Sequence, residues 1–465
     1  MTADAGPPLQ LVIFRRDLRV EDNPALVSAL EAGPAIGLYV LDDNADGRPL
    51  GEAARWWLHH ALMDLRLALA DLGVPLILRK GSQRDEVIDV AGCAQVRAVH
   101  WNRRYTAAGI RADRSLSREL RRRGTQCCTF EAGYLRKPGE VRTRSGGLFR
   151  VFTPFSRALR ELGDPPEPLA APSAKSAPIV RGTPVRSEAL QGLSLLPRSR
   201  SRRSGLSEAW APASQPATSV LSVFLESRID EYHECRDRPD LEGVSRLSPY
   251  LAFGQISARQ VWHAVKRRCG PNRAGRGMTA FLRQLAWRDF CVGLLVQAPD
   301  LAERPFRKEY DQFPWRHDEA SLQAWQNGAT GYPWIDAGMR QLAVTGWMHN
   351  RVRMAVGSFL TKDLLLPWQA GERWFWDQLV DADPAQNAAN WQWVAGCGAD
   401  AAPYFRIFNP TLQGQRFDPE GKYRSRWLPQ STGYGPGEAG VAPIVDHRRA
   451  RARALHLYKE FREAG

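Results

Sequence analysis

Between Gly331 and Trp393 the chain reads GYPWIDAGMRQLAVTGWMHNRVRMAVGSFLTKDLLLPWQAGERWFWDQLVDADPAQNAANWQW, and seven of its sixteen tryptophans fall there: Trp334, Trp347, Trp368, Trp374, Trp376, Trp391 and Trp393. Tryptophan brings a large flat π surface and one N–H that must find a partner when buried, whereas ordinary cores fill with Leu, Ile and Val. Here the rings alternate with Arg340, Asn350, Arg351, Arg353, Asp381, Asp383 and Asn387. Large rings this dense beside charge predict a polar cavity with aromatic walls, suited to a flat ligand.

Within the stretch, Met339, Leu342, Ala343 and Trp347 make one apolar stripe, and Val352, Ala355, Val356, Phe359 and Leu360 continue it at spacings of three and four. Two buried helices are predicted. Asn350, Arg351 and Arg353 then fall on or beside a covered face, where an arginine needs a carboxylate or phosphate to offset its desolvation. Asp381 and Asp383 are the nearest candidates. Taken singly, the tryptophans read equally well as a large helical core with a structural ion pair; taken together they favour the cavity.

Three segments, TGWMHNRVRM, DADPAQNAANWQW and DAAPYFRIFNP, stand in this order and resemble the photolyase–cryptochrome family, in particular the DNA photolyases that repair cyclobutane pyrimidine dimers. The resemblance extends through most of the chain outside a central linker. At 465 residues there is room for two domains with full cores. The formal charge of +14 is carried almost wholly by arginine, since only eight of the 64 basic residues are lysine. Arginine offers a planar fork to phosphate and stacks on flat rings, so nucleic acid fits better than a membrane surface. Seven cysteines, with no CxxC pair, build neither a disulfide framework nor a zinc site, and no metal is expected. The first residues, MTADAGPPLQ, lack the basic-then-apolar pattern of a secretion signal, and no apolar run approaches the roughly 20 residues of a membrane span. A soluble, monomeric, cytoplasmic protein is expected.

Residues 1–162 are read as a doubly wound parallel α/β domain, with strands at Leu9–Phe14, Ala35–Leu41, Pro75–Leu78, Ala98–Trp101 and Gln126–Phe130 and helices between them. Asn23 is a plausible helix cap with Pro24 at the first helical position. No GxGxxG follows the first strand, which excludes the usual dinucleotide grip there. FRRDLR and GGLFRVFTPF resemble parts of the photolyase domain that often holds a light-harvesting antenna. Gly109 stands where folate-binding members carry glutamate, so a deazaflavin, a folate or no antenna all remain open. Residues 163–218 turn to Pro, Ser, Ala and Arg and are read as an interdomain linker whose Arg-Ser run is solvated. Residues 219–465 are read as a larger all-α domain.

The resemblance implies reduced FAD that gives an electron to the cyclobutane ring under blue light and takes it back, with the lesion flipped out of the DNA stack. It implies an FAD pocket of Tyr232, Val244, Ser245, Arg246, Leu247, Ser248, Phe281, Trp347, Asn350, Arg353, Asp381, Ala382, Asp383 and Asn387, in which the serine-rich turn opening onto a helix suits a pyrophosphate. UV-damaged DNA would meet Arg236, Gln284, Trp287, Arg288, Asn350, Arg351, Met354, Trp393 and Arg406. Trp391, Trp368 and Trp315 match the tryptophan chain that carries electrons to oxidised flavin, and Asn387 matches the position facing flavin N5. Asn387, and the short stretch of chain after Trp427, favour repair over signalling by a cryptochrome-like blue-light receptor. His349-Asn350 lacks the paired histidines of (6–4) photoproduct enzymes. Gln284 departs from the glutamate usual in bacterial dimer photolyases and keeps those alternatives in view.

Overall fold

The computed structural model describes residues 8–44, 46–173, 185–212, 215–270, 275–428 and 441–464. Five short aliphatic runs, β1 (Gln10–Phe14), β2 (Ala35–Leu41), β3 (Leu76–Lys80), β4 (Ala98–Asn102) and β5 (Gln126–Phe130), pair in parallel in the order β3-β2-β1-β4-β5. β2 and β5 have the bounds expected from sequence, and the other three overlap theirs with ends moved by one or two residues. Parallel pairing requires crossovers, supplied by α1 (Pro24–Ala32), α2 (Glu52–Asp71), α3 (Gln83–Cys93) and α4 (Ala107–Arg122). Asn23 caps α1 by accepting from the Leu26 amide at 3.2 Å, with Pro24 in the first turn.

Alternation along the strands splits the core. Leu11, Ile13, Ile36, Leu38 and Val99 face a small cluster with Val87 and Val90 of α3, while Val12, Phe14, Tyr39 and Leu41 join a larger one that continues into the helical half. That half contains α5 (Phe152–Glu161), α6 (Arg200–Ala209), α7 (Ala217–Ser227), α8 (Tyr232–Cys235), α9 (Ser248–Phe253), α10 (Ala258–Cys269), α11 (Arg276–Gln297), α12 (Glu319–Gln326), α13 (Pro333–Thr345), α14 (Asn350–Ser358), α15 (Trp368–Gln378), α16 (Pro384–Ala395), α17 (Pro410–Phe417), α18 (Lys422–Trp427) and α19 (His447–Ala464). The two predicted buried helices are α13 and α14. Ala343 is exposed, against expectation, and Trp347 lies beyond α13, because the helix stops at Gly346.

The Arg- and Ser-rich stretch is also not plain linker. Ser199 caps α6, and Arg202 donates to the carbonyls of Leu342 (3.2 Å) and Ala343 in the last turn of α13 and of Gln378 (3.1 Å) at the end of α15. Residues 174–184 lie outside the described residues.

FRRDLR docks the two halves. The Arg16 guanidinium donates to the carbonyls of Ala252 (3.2 Å) and Ala382 (2.8 Å), Arg19 donates to Gly254 (2.9 Å), and the Leu18 amide to Phe253 (3.1 Å). Gly254 ends α9 at φ +68°, and a Cβ there would stand 2.1 Å from the Arg16 carbonyl oxygen. Gly254→Ala is therefore expected to cost roughly 2–5 kcal/mol, from backbone strain and overpacking together. Gly92, helical with nothing near its absent Cβ, should gain about 0.5–1 kcal/mol when changed to Ala. Urea midpoints moving in opposite directions would bear this out; a Gly254→Ala midpoint equal to wild type would refute it.

Candidate functional site

Helices α8, α11, α14, α15 and α16 enclose a cleft of about 440 Å³, within the roughly 300–1,000 Å³ of cofactor and ligand sites. Twelve of the residues singled out from sequence line it: Arg236, Gln284, Trp287, Asn350, Arg351, Arg353, Met354, Asp381, Asp383, Asn387, Trp391 and Trp393.

Local capping sets its polar floor. Arg353 grips both carboxylate oxygens of Asp381 (3.1 and 2.9 Å) and donates through Nε to the Met348 carbonyl at 2.7 Å. Asp383 caps α16, accepting from the Ala385 and Gln386 amides at 2.9 Å each, with Pro384 in the first turn. Arg351 takes neither aspartate. It pairs with Asp237 at 2.6 Å and lies 4.4 Å over the Phe417 ring, while Arg236 reaches the same Asp237 at 3.8 Å. Asp237 sits over a hundred residues upstream, which is why proximity in sequence favoured the wrong partner.

Asn387 has its orientation decided by what lies behind it. Its Nδ2 donates to the Glu372 backbone carbonyl (2.9 Å) and to Glu372 Oε1 (2.8 Å), which leaves Oδ1 for the cleft. Glu372 is fully buried and meets Arg48 through two bonds of 2.7 Å; Arg48 in turn lies 3.6 Å over the Trp376 ring. Neither Glu372 nor Arg48 could be picked out by spacing or motif.

The walls are aromatic. Trp287 donates to Asn390 at 3.1 Å and meets Phe152 edge-on at 4.9 Å. Trp391 packs at right angles on Phe375 (5.0 Å) and reaches Trp325 at 6.2 Å. Trp368 is buried in the same core and Trp315 is half-buried against Phe313 (4.5 Å). Among the described residues no ring contact joins Trp391, Trp368 and Trp315 directly.

The remaining expectations fall outside the cleft. Phe281 packs with Phe224 (4.7 Å) and Tyr232 (5.3 Å) in the core. Val244 and Ser245 are half-buried, Leu247 is buried, and Ser248 is exposed at the start of α9. Arg246, at φ +54°, folds back over Trp210 (4.2 Å) and Trp347 (4.8 Å). Trp347 links this turn to the cleft residue Arg353: its indole donates to Ser248 Oγ at 3.2 Å, and Arg353 overlies it at 6.0 Å. Leu247 thus serves as core, and Ala382 offers its carbonyl to Arg16. Arg288 lies outside the cleft lining: it donates to the carbonyls of Gly133 (2.7 Å) and Leu251 (3.2 Å) and overlies Tyr134 at the domain junction. Arg406 is exposed on the loop before α17, beyond the cleft lining.

At the carboxyl ends of β1, β2 and β4, where open α/β sheets hold ligands, two cavities of about 80 and 50 Å³ remain. Arg15 holds Asp113 through two bonds (3.1 and 2.9 Å), Arg104 holds Asp113 (2.8 Å) and Gln83 (3.0 Å), and Thr106 bonds Asp46 (3.0 Å). A deazaflavin or folate would have to displace these pairs. A Cβ at Gly109 would stand 2.7 Å from Thr106 Oγ1, so no side chain reaches that crevice without disturbing the α4 cap.

Two family models match: DNA photolyase over residues 10–173 and the FAD binding domain of DNA photolyase over 281–435. The deoxyribodipyrimidine photo-lyase of Agrobacterium fabrum is 43% identical over 472 residues, 96% of this chain and 97% of that protein. The crystal structure of a bacterial class III photolyase from Agrobacterium tumefaciens superposes with a TM-score of 0.92 at 40% identity, covering 100% of this chain and 99% of that one. Cryptochrome-1 of Arabidopsis thaliana is 35% identical over 90% of this chain but 62% of that protein.

His349 caps α14 with Nδ1 accepting from the Arg351 amide at 3.2 Å, which requires a neutral ring. Burial, opposed by Asp237 and reinforced by Arg351, Arg353 and Arg236, pushes its pKa down to about 4. The folded value lies below the unfolded one, so stability is full above the unfolded pKa of about 6.5 and is lost as pH falls toward 4, by up to about 3 kcal/mol. His349→Asn keeps a capping acceptor that does not titrate. Urea titrations from pH 7 to pH 4 should show wild type losing more stability than the variant; parallel curves would place the proton elsewhere.

Proposed function

This chain belongs to the DNA photolyase family as a light-driven DNA-repair lyase that carries FAD, and we propose that the cleft between α11, α14 and α16 is where cofactor and cyclobutane pyrimidine dimer meet. The observation that carries this reading is Asn387, a neutral amide locked from behind so that one acceptor oxygen is presented to a cavity walled by Trp391 and floored by Asp381 and Arg353. The fit extends to an orphaned polar atom: the buried Nε of Arg351, which lines the cleft, has no hydrogen-bond partner among the described residues. Bound there, reduced FAD supplies the light-driven electron that opens the cyclobutane ring and is returned, with no net redox change.

The chain's own residues bind and orient. Asn387, Asp381, Arg353 and Asn350 would meet the polar edge of the flavin, and Tyr232, Ser245 and Ser248 its phosphates. The Asn387 amide adds no charge beside an anionic ring. Trp287, Met354 and Trp393 would wall the flipped lesion, whose poor pairing lowers the cost of leaving the stack. Arg236, Arg351 and Arg406 would take DNA phosphates, and Trp391, Trp368 and Trp315 would pass electrons from the surface to oxidised flavin. Among the described residues no helix is long and apolar enough to cross a membrane, and the cysteines are free thiols. The free thiols suit a reducing cytoplasm, where the protein is proposed to act as a monomer.

Incubation of the FAD-loaded, reduced protein with dimer-containing DNA in blue light and in darkness tests the reading. Splitting in light alone is expected. Splitting of (6–4) photoproducts but not dimers would reassign the substrate, and no splitting of either would move the protein to light reception.

Gln284 carries a sharper expectation. Arg236 Nη2 stands 3.5 Å from its Oε1, so a carboxylate in its place would capture that guanidinium. Charge-assisted bonds are about twice as strong as neutral ones, so Gln284→Glu should raise splitting per photon at saturating DNA while weakening DNA affinity by about 3–10-fold, as expected when a phosphate contact is drawn away. Quantum yield and Kd measured on the same preparations would decide it; a variant unchanged in both would separate Gln284 from the lesion and from Arg236.

A further inference from the structure

Four guanidiniums line the cleft, and three have carboxylates: Arg353 on Asp381 at 2.9 Å, Arg351 on Asp237 at 2.6 Å, and Arg236 on the same Asp237 at 3.8 Å. The fourth, Arg283, is exposed. Among the described residues it has neither a hydrogen bond nor a carboxylate within 4 Å. Its neighbour on α11, Gln284, is neutral. What holds Arg283 is a ring: its guanidinium carbon stands 5.5 Å from the centre of Phe152, close enough for cation–π attraction. Phe152 lines the cleft and meets Trp287, one turn of α11 beyond Arg283, edge-on at 4.9 Å. Phe152 is in turn fixed by Asp400, which accepts from its amide at 3.0 Å. Arg283 is therefore a braced cation whose donors have no protein acceptor.

We propose that Arg283 is a phosphate-binding residue for the lesion strand, gripping it on the Phe152–Trp287 side of the cleft as Arg236 and Arg351 do on the Asp237 side. The proposal rests on the reading of the cleft as the dimer site. A guanidinium resting on a ring face keeps its N–H fork free at the edge, which suits two oxygens of one phosphate. Because Arg283 lines the cleft itself, the phosphate reaches it when the lesion enters, so the contact adds preference for damaged DNA as well as affinity. No motif in the sequence singled this residue out.

The test uses the FAD-loaded full chain and two variants, Arg283→Gln and Arg283→Lys, with a dimer-containing duplex and its undamaged counterpart titrated over a range of salt. Arg283→Gln should weaken binding of damaged DNA by about 5–10-fold, that of undamaged DNA less than about twofold, and lower the salt slope by about 0.7–0.9, the value for one phosphate. Arg283→Lys should restore the slope while recovering only part of the affinity, since a point charge replaces the fork. An unchanged slope in Arg283→Gln would overturn the proposal. So would equal losses in Gln and Lys, which would mean that packing on Phe152 is what matters, or equal losses on both duplexes, which would place the contact on flanking DNA. Wild type binding both duplexes alike would instead overturn the reading of the cleft.

Discussion

The site is built around a carboxylate that water never reaches. Burying Glu372 costs several kcal/mol, which only good geometry and full hydrogen bonding can offset, and the chain supplies both: two bonds from Arg48 of the α/β half on one side and the Asn387 amide on the other. Remove any member and an uncompensated group is left in the interior. The consequence reaches the cofactor face, because an Asn387 without Glu372 could rotate and present a donor where it now presents an acceptor. Arg16 adds a second tie from the same half, to the carbonyl between Asp381 and Asp383. The parallel sheet thus holds the segment from Glu372 to Asn387 in place, whatever its own crevice contains.

The charges in the cleft suit the two polyanions proposed to meet there, a flavin dinucleotide and DNA. With Arg236 and Arg351 sharing one aspartate and Arg283 having none, cation exceeds carboxylate where phosphate must come. At the floor, proposed for the flavin ring, the balance is different: Arg353 is closed by Asp381, Asp383 caps α16 and faces Arg288 at 3.8 Å, and Asn387 and Asn350 add neutral amides. Charge is left open at the rim and closed at the floor.

The sheet was legible because alternation and turn residues mark short parallel strands, and α1 because Asn23 and Pro24 announce its start. Most cleft residues were legible too, since they lie within two contiguous segments whose helical spacing and motif resemblance agree. What escaped came from tertiary proximity: Asp237, Phe152, Arg283, Arg48 and Glu372 belong to five separate elements. Arg288 stands off the cleft lining because a cation on a cleft helix can point to the helix's other face, toward Tyr134. The Arg-Ser run misled because composition says nothing of the helix-end carbonyls of α13 and α15 that Arg202 reaches.

The tryptophan density that opened the reading has a packing condition that composition alone conceals. Trp391 can form both the cleft wall and the contact to Phe375 and Trp325 only if α15 and α14 approach it closely, and each does so at a glycine. A Cβ at Gly371 would lie 2.2 Å from the Trp391 ring, and one at Gly357 2.9 Å from Val394 and 3.5 Å from Trp391. At the crossing of α13 and α14 the pattern repeats, with Gly338 facing Val352 at 2.5 Å. Large rings and absent side chains thus form one device: the glycines bring the helices together and the rings fill what is left, giving the cleft a closely packed, stiff wall. The segment pairs tryptophan with glycine because neither could serve at this site without the other.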